Sequence, residues 1–147
     1  MYQKNIWKDA DATKTEKITA FCEDYKKFLS YAKTERLAVE ETERIAREHG
    51  FKKFDEVKEI KAGEKIYFIN KNKNVILYRM GKKPLSEGMR ILGAHIDSPR
   101  LDLKQNPLYE SEGFALFDTH YYGGIKKYQY VTTPLAIHGV VCKKDGT

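Results

Sequence analysis

Cysteine is nearly absent from the chain, which has 2, Cys22 and Cys142. Two thiols so far apart match neither a C-x-x-C zinc pair nor the disulfide framework of a small secreted domain, and both read as reduced, structural thiols. Long apolar runs are missing too. None approaches the ~20 residues needed to span a bilayer, and no apolar core of a signal peptide follows the polar start Met1–Asn5. A cytoplasmic protein with no membrane partner is expected. There is no block of like charge either. Lys and Arg exceed Asp and Glu by 27 to 21, a formal +6. The lysines, however, are scattered in pairs (26 and 27, 52 and 53, 82 and 83, 126 and 127, 143 and 144) and interleaved with Glu in the first half. With no recognised nucleic-acid motif, solvated faces and turns account for them, and nucleic acid is not an expected partner. Internal repeats and low-complexity segments are absent.

A length of 147 residues, 41% of them hydrophobic and 33% charged, suits one folded core rather than two. The first fifty residues read as two helices. Ile18, Phe21, Cys22, Tyr25, Phe28 and Leu29 recur at offsets of three and four, which gathers them on one stripe, with Thr13 or Thr15 as N-cap. Thr34 offers a second N-cap. Leu37, Ala38, Glu41 and Ile45 follow on a narrower face, and Arg47, His49 and then Gly50 form a stop signal, so His49 reads as a helix-terminal histidine.

From Phe51 the period changes. Lys65–Asn70 and Val75–Met80 are short, branched and aromatic, and 71–74 joins them as a hairpin. The segment from Gly81 to Gly88 reads as a loop, and Met89 to His95 as a nearly continuous apolar strand of the kind buried on both faces. Beyond Pro99, Leu101 and Leu103 alternate with polar residues until Asn106-Pro107 breaks the run. Phe114–Phe117 forms another strand, 120–124 a flexible aromatic loop, and Leu135–Cys142 a last strand running into the hairpin signal Asp145-Gly146. That hairpin lacks its second strand, so the chain is expected to have been cut there. The pattern suggests a layered α/β or α+β domain.

Gly93-Ala94-His95-Ile96-Asp97-Ser98-Pro99 carries the chemistry. A neutral imidazole is a common zinc ligand, and a carboxylate beside it can hold its other ring nitrogen. Pro99 restricts Ser98 to an extended conformation and ends the strand. His95 is therefore expected at the carboxyl end of a sheet strand, beside Asp97, its ring facing an open cleft. H-x-D alone fits a partly buried, hydrogen-bonded strand-end histidine with a turn-forming aspartate better than a metal site.

Three segments supply the context: G-A-H-I-D-S-P-R-L-D-L-K (93–104), H-Y-Y-G-G-I-K-K-Y-Q-Y (120–130) and P-L-A-I-H-G-V-V (134–141). Together they resemble the aspartyl aminopeptidase family of zinc exopeptidases, particularly its bacterial branch, over nearly the whole chain. The resemblance implies a metalloaminopeptidase that removes amino-terminal residues from peptides, using water activated by two divalent ions. Those ions are usually zinc, with cobalt or manganese as alternatives. It implies that His95 is the first metal-binding histidine, and that Asp97 is the catalytic-site carboxylate that supports the site without being a primary ligand. Residues 1–104 would belong to a layered α/β catalytic domain and 105–147 to the start of an inserted β-rich dimerisation domain, whose dimers build a dodecamer. The aromatic segment from Phe114 to Tyr130 would join that interface or the inserted domain's core. The bridging Asp, the Glu general base and the other ligands that the family needs lie downstream of the H-x-D strand, and His120 and His138 sit in no metal-ligand pattern. These residues by themselves are expected to lack peptidase activity. The alternative is a non-catalytic binding or assembly module that retains the family scaffold.

Overall fold

The computed structural model describes residues 5–147, so most of the polar start read at Met1–Asn5 lies outside the described residues. Helices and sheets are mixed, in two compact units that divide between Ala94 and His95.

In the first unit, helix α1 (Ala12–Tyr31) starts at Asp11, whose carboxylate accepts the Lys14 amide at 2.7 Å. The cap is thus Asp11 rather than Thr13 or Thr15, because a carboxylate next to the orphan amides and the positive end of the helix is the stronger acceptor. The apolar stripe of α1 is formed but largely uncovered, with no residue of the helix buried and Phe21 74% exposed. Helix α2 (Glu35–Glu48) starts where expected. Thr34 Oγ1 accepts the Leu37 amide, and Gly50 follows the helix end with φ +78°. Its inward face buries Ala38, Val39 and Ala46.

Behind α2 lies a three-stranded sheet in the order β1 (Lys52–Lys53), β2 (Lys65–Asn70), β3 (Asn74–Arg79). The β2–β3 pair is the expected antiparallel hairpin, with Lys71 and Asn72 at positive φ in its turn. Two-residue β1, parallel to β2, was too short to leave a period in the sequence. Tyr67 on β2 is the largest fully buried side chain. Its hydroxyl donates to Glu43 of α2 at 2.6 Å, and the Arg47 guanidinium lies 5.3 Å from its ring centre. One aromatic therefore ties helix to sheet through its body and its polar tip.

The segment from Met89 to His95 departs from expectation, since it joins no ladder and leaves Leu92 fully exposed. A strand exists only as a pair, and no described strand lies alongside to satisfy this segment's backbone.

In the second unit, β4 (Arg100–Ser111) and β5 (Phe114–Tyr122) form an antiparallel ribbon. Ser111 faces Phe114 across Glu112 and Gly113, at φ +52° and +79°, the two-residue turn of mirror type whose twist suits a hairpin. Asn106-Pro107 does not end β4, as it was expected to. The register jumps between Leu103 and Leu108, so 104–107 bulge out opposite Asp118, with Asn106 at φ +53°, and the strand resumes. A bulge is where a strand tolerates a residue with no N–H. His120 to Tyr122 are paired residues of β5 rather than part of a loop. A short helix, α3 (Lys127–Tyr130), follows. Leu135–Cys142 forms no strand, again for want of a partner, and the turn at Asp145-Gly146 closes on itself through Lys143 and Thr147. Both cysteines are exposed thiols rather than structural ones.

Candidate active site

His95 opens the second unit, and no strand delivers it: 95–99 lie outside any strand, and β4 begins only at Arg100. What holds the ring is Asp97. His95 Nδ1 lies 3.1 Å from Asp97 Oδ1 and 3.1 Å from the Asp97 backbone oxygen. A carboxylate and a carbonyl only accept, so Nδ1 carries the hydrogen, and a neutral ring then presents its lone pair at Nε2. The ring is exposed, with its side chain 83% accessible.

Asp97 is held from its other side as well. Tyr122, at the end of β5, donates its hydroxyl to Asp97 Oδ2 at 2.5 Å, a short bond of the charge-assisted kind. Together with Asp97's own amide and the His95 ring, that hydroxyl, the largest influence, holds the Asp97 carboxyl below the usual carboxylate range. Strand register places the tyrosine, because Arg100 faces Tyr122 across the β4–β5 pair. The Arg100 guanidinium sits 4.0 Å over the Tyr122 ring while its Nε donates to Asp102 at 2.7 Å. Next along, Gly123 at φ +71° lies against Pro99, which a Cβ there would meet at 3.5 Å.

Sequence reasoning paired His95 with Asp97 and missed Tyr122. The Tyr-Tyr-Gly-Gly segment stood out, but its strand pairing, and hence its reach to Asp97, depends on a register that the bulge at 104–107 conceals. The other histidines stay apart from the pair. His49 caps α2, His120 lies opposite Asp102 in the ribbon, and His138 is exposed in an irregular stretch. Among the described residues no three His, Cys, Asp or Glu side chains come together as a metal-holding group. The donor chemistry at His95, one ring nitrogen fixed on a carboxylate and the other left for a metal, fits a single zinc ligand.

Residues 28–147 match the family described as aminopeptidase I zinc metalloprotease (M18). A probable M18 family aminopeptidase 1 of Clostridium acetobutylicum is 50% identical over 148 residues, which cover 98% of this chain and 32% of that protein. The crystal structure of aminopeptidase I from Borrelia burgdorferi B31 superposes with a TM-score of 0.91 at 40% identity, over 97% of this chain and 35% of its own. That of an M18 family aminopeptidase from Thermotoga maritima gives 0.88 at 46% identity, over 100% and 32%. The chain thus spans about a third of the length of the relatives it matches.

Proposed function

The chain belongs to the aminopeptidase I zinc metalloprotease (M18) family, and from that membership we propose that it forms part of a metalloaminopeptidase in which His95 is a metal ligand and Asp97 the carboxylate that sets its ring. The observation that carries this reading is the His95–Asp97 contact. It supports the tautomer that a zinc-binding imidazole needs, with the hydrogen on Nδ1 and the lone pair on Nε2. In this reading residues 1–104 belong to the catalytic domain and 105–147 to an inserted dimerisation domain that builds a dodecamer. Two divalent ions complete the site, with zinc the first choice and cobalt or manganese alternatives.

Bound zinc supplies Lewis acidity toward a peptide carbonyl and makes water a nucleophile near neutral pH. This chain's own share is narrower. His95 binds through Nε2, and Asp97 keeps the proton on Nδ1, raises the basicity of the ring and restrains its rotation. The general base and the remaining ligands are assigned to sequence outside these residues. The decisive experiment compares the complete enzyme with its His95→Ala and Asp97→Asn variants, measuring zinc content and hydrolysis of aminoacyl reporter substrates. His95→Ala is expected to lose most of both, and Asp97→Asn to lose about 10–100-fold in metal affinity or rate with the fold intact. A silent His95→Ala would refute the assignment and return the chain to the role of an assembly module.

A further inference from the structure

The tyrosine opposite Arg100 has no part in the reading above, and its position gives it one. We infer that Tyr122 is a positioning residue for the metal-binding pair: its hydroxyl clamps the Asp97 carboxylate in the orientation that holds the His95 ring. The inference rests on His95 being a metal ligand.

A carboxylate on a short side chain can swing about its terminal torsion, which is broad rather than three-welled. One contact to His95 would leave that swing open. Here the two oxygens face different donors, Oδ1 the imidazole at 3.1 Å and Oδ2 the phenol at 2.5 Å, so neither can turn without breaking a bond. The phenol is itself fixed at both ends. Its ring lies beneath the Arg100 guanidinium, which Asp102 anchors, and its backbone is paired with Arg100 in the ladder. Gly123 then lets the chain turn closely over Pro99, two residues beyond Asp97. The strand that leaves the H-x-D segment and the strand that returns to it are thereby joined at the carboxylate. The contact that gives Tyr122 this role is the one to Asp97 Oδ2, so in this reading its effect passes through the carboxylate.

Tyr122→Phe in the complete enzyme keeps the ring beneath Arg100 and removes only the hydroxyl. We expect kcat to fall about 10-fold while KM moves less than about twofold. Zinc affinity, read by competition with a chromophoric chelator, should weaken by about 10-fold, with the melting temperature unchanged. The discriminating measurement is the double-variant cycle. In an Asp97→Ala background the same Tyr122→Phe change should cost nothing further in zinc affinity, since the carboxylate it clamps is gone, whereas a tyrosine that merely supports the fold would cost the same in both backgrounds. Equal losses in the two backgrounds, or wild-type zinc affinity in Tyr122→Phe alone, overturn the clamp. If His95→Ala still loses its zinc in that same series, the metal-ligand reading survives the failure of the clamp. If His95→Ala keeps its zinc, both fall together.

Discussion

The two units are built on opposite principles. Every buried residue among those described, Ala32, Ala38, Val39, Ala46, Ile66 and Tyr67, lies before Ala94, where a helix closes on a sheet. From His95 onward no described residue is buried, and the ribbon is held by its ladder, its turn and polar contacts such as Lys104–Asp118. The first unit draws its stability from removing apolar surface from water. The second has one layer, and a two-stranded ribbon alone is marginal in water. The candidate site nevertheless stands on the ribbon. Hydrogen bonds there fix direction and register, which a metal ligand requires, while contributing little to stability.

The comparison breaks most sharply at Tyr67. Tyr67→Ala empties the junction of α2 and β2 and should cost about 3–5 kcal/mol, seen as lost amide protection over 35–79 in hydrogen exchange. Protection over 100–122 should stay as it was, and a parallel loss there would show that the two units do not hold separate stabilities. Alkali should act on the same unit. Burial, aided by the bond to Glu43, pushes the Tyr67 phenol from 10.0 up to about 12. The protonated phenol is the form that the folded unit favours. Its contribution is therefore complete below pH 10 and is lost as pH rises toward about 12. Unfolding followed across that window should show the loss in the wild type and not in Tyr67→Phe.

Gly113→Ala tests the ribbon. With φ at +79°, an L side chain in the turn should cost about 1–2 kcal/mol, enough to open a marginal hairpin, and exchange should quicken across 100–122 without touching the first unit. The smallest effect is expected from Arg100→Lys. It keeps the charge and loses the planar group lying over Tyr122, for about 0.5–1 kcal/mol, visible as faster exchange confined to the Tyr122 end of the ribbon.

Much of the first unit was legible because its signals are local. Helical offsets and the Thr34 cap lie within one or two turns, and the hairpin at 65–79 carries branched and aromatic residues on both sides of a short connection. The errors share a cause. Met89–His95 and Leu135–Cys142 have strand composition, but composition reports a preference for the pleated backbone and is silent on whether a partner lies alongside. At Asn106-Pro107 the reverse happened: a local breaker was overridden by pairing on both sides of a bulge.

By itself the sequence determined the helix and hairpin positions of the first unit and the nearness of His95 to Asp97, because groups so close along the chain need little from the rest of it to come within reach. The tertiary structure alone decided that Tyr122, 25 positions from Asp97, closes on the same carboxylate. That contact depends on the β4–β5 register, and the register depends on a four-residue bulge opposite Asp118. A one-residue slip would turn the Tyr122 side chain to the other face of the ribbon.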